Sequence, residues 1–329
     1  MINKKVLFIA PRYFGYENDI ISAIEEKGAQ VYFVQENIDA TELRFKILNK
    51  LPYKLRIRLI QNHFIKKFKE FHENKIIFDY IFCVRIDSFD VVILSQLKKL
   101  YPNAHYICYF WDSIKNLRNP KVITDFFDKI FTFDKNDSKQ QGWSFCPLFY
   151  NNKYKQCLDY ANQDIDVLFV ASLLPERAVF YTKLKTICDK HKLRLYAYFT
   201  VNPYLLIANM QKYFNIPLSI IHFKGLSQIE LVNLFSMSKV IMDCSSLSQS
   251  GLTMRTIECV GAKKKLITTN PAIKEYDFYN EDNILFIDDN SIDKNVVDFL
   301  SNGIYKELEN DIYRYYSIDK WIERIFSKN

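Results

Sequence analysis

The chain has 329 residues, a net charge of +7 and a hydrophobic fraction of 49%. That length suits two domains of ordinary size, and the hydrophobic fraction is enough to fill two cores. No apolar run approaches the ~20 residues that a membrane-spanning helix needs, and no signal-peptide cleavage site follows the first apolar stretch. The seven cysteines are scattered without a CxxC pair, which argues against a disulfide scaffold or a zinc site and favours a cytoplasmic protein. The positive charge suits an acidic partner such as a nucleotide or a phospholipid surface.

Apolar runs alternate with helical patterns through the first half of the chain. Strands are predicted at residues 6–10, 31–34, 80–84, 105–110, 130–133 and 145–148. Helices are predicted over 17–27, which Gly28 ends as a C-terminal cap, and over 90–100. Short apolar strands that alternate with helices are typical of a parallel sheet with both faces buried.

A second series of strands and helices follows a polar stretch at 150–164, which we interpret as a linker. Its strands are predicted at residues 167–171, 193–198, 218–222, 240–242, 265–268 and 285–287. Its helices are predicted over 176–190, from a Ser227/Glu230 capping box onward, and over 252–260. The sequence therefore predicts an α/β protein with two Rossmann-like domains. Because ligands of such sheets bind beyond the carboxyl ends of the strands, we expect a central cleft between the domains.

The segment 243–270 carries the most informative pattern in the chain, DCSSLSQSGLTMRTIECVGAKKKLITTN. A predicted strand ends just before it, small polar residues form a loop, and a helix is predicted to begin near Leu252. Backbone N–H groups at a helix N-terminus bind anions, and small side chains let a phosphate approach closely. Arg255 adds a positive charge, and Glu258, about two turns into the helix, can reach the hydroxyls of a ribose. The alternative for Glu258 is a solvated carboxylate on the helix surface.

The run Ser-Gly-Leu-Thr-Met-Arg-Thr-Ile-Glu at 250–258, with Gly-Ala at 261–262 and Leu-Ile-Thr-Thr-Asn at 266–270, resembles the donor-binding region of GT-B glycosyltransferases. Within that class it is most like the CgeB-like and bacterial surface-polysaccharide group. The resemblance implies that the helix start holds the donor diphosphate and that a glutamate on the helix binds the ribose. It assigns donor contacts to Ser250, Gly251, Leu252, Thr253 and Glu258. Many retaining members carry an additional glutamate where Ser250 stands here, so the sequence leaves retention and inversion open.

The GT-B resemblance also assigns roles to the domains. It implies an acceptor domain at 1–150, interrupted by a basic helical insert at 36–75, and a nucleotide-sugar donor domain at 151–303. It further implies that the tail at 304–329 is a helix that crosses back to the first domain. Trp321 and nearby tyrosines are expected to anchor that tail.

Two further segments of the second domain resemble the donor-contacting loops of GT-B enzymes. Ser172 ends the first predicted strand of this domain, and Arg177 follows on the first helical turn, where a guanidinium can bind phosphate through two hydrogen bonds. Lys224 precedes the capped helix, in a loop that often frames the base in such folds. The alternatives are a surface arginine at 177 and an ordinary turn at 224.

Charged and aromatic side chains follow three predicted strands of the first domain. Arg12 and Tyr13 follow the first strand, Arg85 and Asp87 follow the third, and Asp112 follows the fourth. Glycosyl transfer needs a group that takes the proton of the attacking acceptor hydroxyl, and a carboxylate can do this. Asp112 is the first candidate for that catalytic base and Asp87 the second, while Arg12, Tyr13 and Arg85 are predicted to bind the acceptor. The alternatives are a capping or loop aspartate at 112 and a capping role for Asp87 at the next helix.

Residues 44–69 carry nine Lys or Arg and no Asp or Glu, interleaved with apolar residues. Such a basic amphipathic stretch suits an anionic membrane surface or an acidic lipid-linked acceptor, and the alternative is a helical hairpin with a solvated basic face. We expect no nucleic-acid partner, because the chain lacks a recognisable reader module. The dispersed histidines, and the absence of a Walker loop, a GxGxxG fingerprint and a credible DxD, predict no metal and no cofactor besides the nucleotide-sugar substrate.

These patterns together predict a metal-independent glycosyltransferase. It is expected to move a sugar from a nucleotide-sugar donor to a saccharide or lipid-linked acceptor, in the assembly of a bacterial cell-surface glycan such as lipopolysaccharide or capsule. The expected location is the cytoplasm, with peripheral attachment to the inner face of the membrane. Two alternatives stay open: a sugar-nucleotide epimerase on the same fold, and a non-catalytic carbohydrate-binding protein with a degenerate GT-B fold.

Overall fold

The computed structural model describes residues 1–36, 51–116, 123–157, 163–245, 251–287, 292–301 and 304–327. The chain divides into two compact units. The first contains Met1–Pro147 together with Ile322–Asn329, and the second contains Leu148–Trp321. Within the described residues, no helix is both long and apolar enough to cross a membrane.

The first unit is built on a six-stranded sheet in the order β2-β1-β3-β4-β5-β6. All its strand pairs are parallel. Its strands are β1 (Lys5–Ala10), β2 (Gln30–Gln35), β3 (Tyr80–Val84), β4 (His105–Phe110), β5 (Lys129–Thr132) and β6 (Ser144–Phe145). Its α-helices are α1 (Tyr16–Glu26), α2 (Tyr53–Glu73), α3 (Val91–Leu100) and α4 (Lys135–Gln141).

Local sequence explains where these helices begin and how they pack. The Asp90 carboxylate accepts the N–H of Ile93 at 3.0 Å and caps α3, and Asp134 caps α4 in the same way. Helix α2 buries Phe64 and Phe68, and the Phe64 ring lies 4.6 Å from the ring of Phe89. This packing places one face of α2 against the core and leaves its basic residues outside.

The second unit repeats this architecture with the order β12-β11-β10-β7-β8-β9, again with parallel pairs throughout. Its strands are β7 (Ile165–Ser172), β8 (Leu195–Thr200), β9 (Ile221–His222), β10 (Ser238–Asp243), β11 (Lys265–Thr268) and β12 (Ile284–Phe286). Its α-helices are α5 (Pro175–Lys190), α6 (Pro203–Ala208), α7 (Gln228–Ser236), α8 (Met254–Ala262), α9 (Ile292–Ser301) and α10 (Asn310–Tyr315). A last helix, α11 (Ile318–Ile325), begins in this unit and ends in the first. The predicted α/β class with two Rossmann-like sheets is confirmed.

Several predicted boundaries are wrong for identifiable reasons. The strand predicted at 145–148 is limited to Ser144–Phe145, and the one predicted at 218–222 is limited to Ile221–His222 because a 3-10 turn (Leu218–Ile220) follows Pro217. The helix predicted from residue 252 begins at Met254, since Thr253 takes the capping position. The predicted linker contains a 3-10 helix (Asn152–Gln156), and the side chain of Tyr154 within it is buried.

The C-terminal tail contributes to both units. Phe326 packs its ring edge-on against Tyr80 and Phe82 in the first unit, at 5.3 and 5.4 Å between centroids. Trp321 is fully buried in the second unit, 4.6 Å from the ring of Phe149. Trp321 and Phe326 are therefore core residues, whereas Tyr315 is exposed.

Candidate functional site

Both predicted donor loops of the second unit emerge at one edge of its sheet. The strand order reverses between β7 and β10, which lie side by side with Leu168 opposite Ile241. Ser172 is the last residue of β7, and Asp243 is the last residue of β10. In doubly wound sheets, ligands bind at the carboxyl ends of the strands where the order reverses. The chain segments that follow Ser172 and Asp243 therefore begin side by side at the position this fold uses for ligands.

Arg177 joins these two loops through backbone carbonyls. Its Nε donates to the carbonyl oxygen of Cys244 at 2.8 Å, and its Nη1 donates to that of Ser172 at 3.0 Å. These two bonds orient a half-buried guanidinium at the reversal point of the sheet. The predicted contact of Arg177 with a phosphate stays a prediction, and the structure shows the framework that would hold the side chain for it.

The N-terminus of α8 already has a carboxylate beside it. The hydroxyls of Thr253 and Thr256 both donate to Oδ2 of Asp243, at 2.7 and 2.8 Å, and Asp243 is only 6% exposed. Thr253 also caps the helix by accepting the N–H of Thr256 at 3.2 Å. The N–H groups of Met254 and Arg255 precede the first intrahelical bond and point out of the helix end. An anion bound there would receive two backbone donors and would lie close to the negative charge of Asp243.

Glu258 is buried and paired with Arg255. Its Oε2 lies 2.8 Å from Nη1 of Arg255, and the Glu258 side chain is 1% exposed. The Arg255 guanidinium in turn lies over the ring of Phe235 at 5.3 Å. This burial overturns the alternative of a solvated surface carboxylate. A ribose hydroxyl that bound Glu258 would share the carboxylate with Arg255.

The other predicted donor residues lie on the same edge of the sheet. Gly251 and Leu252 are buried, and the carbonyl of Gly251 accepts Nδ2 of Asn270 at 3.1 Å, which ties this loop to the end of β11. Lys224 is exposed just beyond β9, and its carbonyl accepts the hydroxyl of Tyr198 at 2.8 Å. Ser250 lies outside the described residues.

In the first unit, Arg85 brings together both predicted catalytic aspartates. Its Nε lies 3.0 Å from Oδ2 of Asp87, and its Nη1 lies 3.3 Å from Oδ2 of Asp112. Arg85 follows β3, next to the point where the order of this sheet reverses between β1 and β3. Its φ of +47° is a left-handed conformation that costs energy for any residue with a Cβ. The two ion pairs place the guanidinium between the carboxylates.

Aromatic side chains lie close to Asp112 at this edge of the sheet. Tyr13 is exposed, and its ring contacts those of Phe14 and Trp111 at 4.6 and 6.2 Å between centroids. Arg12 is exposed in the same loop. Exposed aromatic rings beside polar groups are suited to a sugar or another partly apolar ligand.

The structure gives different outcomes for the alternative roles considered for Asp87 and Asp112. Asp90, and not Asp87, caps the helix that follows β3, so the capping role considered for Asp87 is wrong. Asp112 accepts Nδ2 of Asn116 at 3.1 Å, within the loop after β4. The proposed role of Asp112 as a base stays a prediction.

Sequence reasoning missed Glu36, which follows β2 at the same edge. Glu36 is 3% exposed, and its Oε1 accepts the backbone N–H of Ser88. Burial raises the pKa of its carboxyl to about 7, with Asp87 adding to the rise and the Ser88 hydrogen bond and Arg85 opposing it. A group with that pKa can exchange a proton near neutral pH. The available signal was a glutamate directly after an apolar strand, at the edge where the other candidates were expected.

Part of the basic segment 44–69 is described, from residue 51 onward. It forms the first five turns of α2, in which Tyr53, Leu55 and Leu59 are exposed beside the basic residues.

Within the described ranges, no group of three or more His, Cys, Asp or Glu side chains is placed to hold a metal ion. The metal-independent mechanism stays a prediction.

Comparison with known proteins identifies the architecture. No protein-family model matches the chain, and no curated protein matches it. The chain is similar to the solved structure of an alpha-glucosyltransferase in complex with UDP and a 13-mer DNA, with a TM-score of 0.66, 12% identity and coverage of 98% of this chain and 99% of the other. The fold is GT-B.

Two further solved structures show the same likeness. One is AviGT4, a glycosyltransferase involved in avilamycin A biosynthesis, with a TM-score of 0.55, 12% identity and coverage of 98% of this chain and 95% of the other. The other is a UDP-GlcNAc 2-epimerase from Neisseria meningitidis bound to UDP-GlcNAc, with a TM-score of 0.54, 10% identity and coverage of 99% and 100%. At these identities the likeness fixes the GT-B fold, which transferases and epimerases share, and leaves the reaction open.

Proposed function

We propose that the protein is a glycosyltransferase that uses a nucleotide-sugar donor. The observation that carries this proposal is the meeting of the two predicted donor loops at the reversal point of the second sheet, held together by Arg177. The solved structures with the same fold support it, because one of them contains bound UDP and another contains bound UDP-GlcNAc.

On the donor side, the diphosphate would bind between Arg177 and the first N–H groups of α8. This arrangement stabilises the charge that develops on a leaving diphosphate without a metal ion. Glu258 would bind the ribose, and Arg255 would hold that carboxylate in its orientation. Lys224 is exposed at the neighbouring strand end, where it can contact the base or a phosphate.

On the acceptor side, the transfer step requires that a proton leave the attacking hydroxyl as its oxygen bonds to the anomeric carbon and the bond to the diphosphate breaks. Asp112 and Asp87 are the proposed bases, and Arg85 holds both. Tyr13 and Arg12 provide an aromatic and a cationic group for the acceptor.

We propose a bacterial cell-surface glycan, such as lipopolysaccharide or capsule, as the setting of this reaction. A saccharide or lipid-linked acceptor fits the basic helix α2, whose exposed Tyr53, Leu55 and Leu59 lie among lysines and arginines. That helix would attach the protein to the inner face of an anionic membrane.

The test is thermal-shift screening against UDP, GDP, CMP, dTDP and their sugars. A ligand that binds only the folded state stabilises it by about 2.7 kcal/mol at a hundred times its dissociation constant. We expect one nucleotide class to raise the melting temperature of the wild type. Because Glu258 is buried, the shift of each variant must be measured against its own ligand-free value. Glu258→Gln should lose most of the shift, while Glu281→Gln, an exposed carboxylate of the same unit, should keep it.

Two results would contradict the proposal. The absence of any shift at millimolar ligand would favour a carbohydrate-binding protein with a degenerate fold. Conversion of a nucleotide sugar to its epimer, with no acceptor present, would favour a sugar-nucleotide epimerase.

A further inference from the structure

Among the residues that the structure describes, all four buried carboxylates of the first unit lie at the carboxyl edge of its sheet. Glu17 is in the first turn of α1, Glu36 directly follows β2, and Asp134 and Asp137 follow β5. These side chains are only 1–5% exposed. Burying a carboxylate costs free energy unless hydrogen bonds replace those it made to water. The groups that donate to these carboxylates therefore show why the sequence places them here.

Two of the carboxylates hold the loop that follows β4. Oδ2 of Asp137 accepts the backbone N–H of Ile114 at 2.7 Å, and Oδ2 of Asp134 accepts the hydroxyl of Ser113 at 2.8 Å. Ser113 is itself buried. Both donors directly follow Asp112, the first proposed base. The main chain beside Asp112 is therefore tied to the end of β5 and to the first turn of α4.

Helix capping explains Asp134 but does not explain Asp137. Oδ1 of Asp134 accepts the N–H groups of Asn136 and Asp137 at 2.8 and 3.3 Å, as a capping residue does. Asp137 instead accepts the N–H of Ile114, a residue 23 positions earlier in the chain. Beyond the end of a strand the sheet offers no further ladder partners, so a loop N–H needs an acceptor from elsewhere. The carboxylate of Asp137 supplies it.

Glu36 has the same relation to the loop that follows β3. Its Oε1 accepts the backbone N–H of Ser88, which lies 52 positions later in the chain. Ser88 directly follows Asp87, the second proposed base. Each loop that carries a proposed base is therefore held by a buried carboxylate from a different segment of the chain.

The burial of Asp137 is unfavourable for its charge. Burial raises the pKa of its carboxyl, and the charge of Asp134 adds to the rise, while the hydrogen bond from Ile114 and the charge of Lys115 oppose it. Natural proteins depart from the rules of stable packing mainly where a functional side chain must be held in place. The hydrogen bond to Ile114 has that character.

We propose that Asp137 and Glu36 are positioning residues of the acceptor site, Asp137 for Asp112 and Glu36 for Asp87. Each acts through the main chain of the loop that it holds and does not take part in proton transfer itself. Misplacing a catalytic group by about 1 Å can lower a rate on the order of 100-fold, so the position of this main chain affects the transfer step. The inference rests on the proposed function, because it takes the two aspartates as the bases.

The experiment compares Asp137→Ala with Asp137→Asn in the full chain. Asparagine keeps an oxygen that can accept the N–H of Ile114, and alanine does not. The matched control is Asp79→Ala, because Asp79 accepts the N–H of Lys5 at 2.9 Å at the opposite edge of the same sheet. Two quantities are measured. One is amide hydrogen exchange at Ile114, and the other is the steady-state hydrolysis, with water as acceptor, of whichever UDP-, GDP-, CMP- or dTDP-sugar raises the melting temperature.

Asp137→Ala should speed exchange at Ile114 by at least about tenfold, because its N–H loses a hydrogen bond to a charged acceptor. It should also lower kcat by at least about tenfold, with KM for the nucleotide sugar and the thermal shift unchanged. Asp137→Asn should recover most of both losses. Asp79→Ala should lower the melting temperature, as any structural loss does, and change neither the exchange at Ile114 nor kcat.

A milder variant tests the same loop if Asp137→Ala does not fold. Ser113→Ala removes only the hydroxyl that Asp134 accepts and leaves the cap of α4 in place. It should lower kcat in the same direction, again with KM unchanged.

Three outcomes would overturn the inference. Exchange at Ile114 could be the same in Asp137→Ala as in the wild type. The kcat of Asp137→Ala, or of Ser113→Ala where the former does not fold, could equal that of the Asp79→Ala control. Asp137→Asn could be as slow as Asp137→Ala, which would mean that the charge matters and the hydrogen bond does not.

The failure of this inference can be separated from failure of the proposed function. Hydrogen exchange at Ile114 requires no nucleotide sugar and reports on the loop alone. A wild type that binds and hydrolyses a nucleotide sugar, with Asp137→Ala at the control's kcat, contradicts the positioning role alone. A wild type that binds no nucleotide sugar contradicts the transferase, whatever the exchange at Ile114 shows.

Discussion

Replacing Glu36 with glutamine should change how the stability of the protein depends on pH. Glu36 is buried at the end of β2, and its carboxyl has a pKa of about 7 against an ordinary value of 4.5. The buried site therefore prefers the protonated acid. Glutamine has the shape of that neutral acid and keeps an oxygen that can accept the N–H of Ser88.

The sign of the effect follows from the raised pKa. Below pH 4.5 the carboxyl is protonated in both the folded and the unfolded chain, and the folded state gains fully from the neutral form. Between pH 4.5 and 7 the unfolded chain loses its proton first, so this contribution to the free energy of unfolding falls, and above 7 it is gone. A shift of this size corresponds to a change on the order of 3 kcal/mol.

Urea denaturation of the wild type and of Glu36→Gln at a series of pH values measures this change. The free energies of unfolding of the two proteins should differ by a nearly constant amount below pH 4, and that difference should begin to change near pH 4.5. Glu36→Gln should gain progressively over the wild type toward pH 7, and the gain should level off above it. Glu25→Gln, on the exposed face of α1, serves as the control for the loss of a carboxylate. Parallel profiles for the wild type and Glu36→Gln across this range would refute the reasoning.

Two other substitutions test the packing of the second unit and the chemistry proposed for the first. Gly261→Ala should destabilise the protein by about 1–3 kcal/mol in urea denaturation, because a Cβ at 261 would lie 2.4 Å from Cγ of Tyr150. The cost should largely disappear in a Tyr150→Ala background, and an equal cost in both backgrounds would show that the clash is not its cause. Asp112→Asn should lower the rate of sugar transfer by at least about 100-fold while the nucleotide-induced thermal shift stays unchanged. Asp125→Asn, an exposed carboxylate of the same unit, is its control, and an Asp112→Asn variant with the control's rate would remove Asp112 as the base.

The sequence predicted the strands well because their signal is local. Val6–Ala10 is an unbroken apolar run, and every residue in it is buried, as a strand covered on both faces requires. The capping box of Ser227 and Glu230 is present because both of its hydrogen bonds form within one helical turn. The start of α8 is set by a single residue, the capping Thr253. The pattern of apolar residues does not locate such a helix boundary to the exact residue.

The burial and the pKa of the candidate side chains could not be predicted in the same way. The three-residue spacing of Arg255 and Glu258 allows an ion pair, but it does not reveal that Glu258 is 1% exposed. The pKa of Glu36 depends on burial by elements distant in sequence, including the Ser88 loop. Such properties depend on tertiary contacts, and one sequence without aligned relatives contains no direct record of them.

The charges at the two sheet edges support the division of roles between donor and acceptor. At the first edge, Arg85 contacts two carboxylates, Asp87 and Asp112, and Glu36 adds a third carboxyl beside them. Such an edge repels a diphosphate and suits the removal of a proton from a hydroxyl.

At the second edge the balance is reversed. The carboxylate of Glu258 is paired with Arg255, and the charge of Asp243 is spread over two threonine hydroxyls and the positive end of α8. Arg177 binds only carbonyl oxygens in the bonds described above, so its charge is not neutralised by them. This edge can therefore hold an anion that the first edge would reject, and a donor bound there would present its sugar beyond the diphosphate.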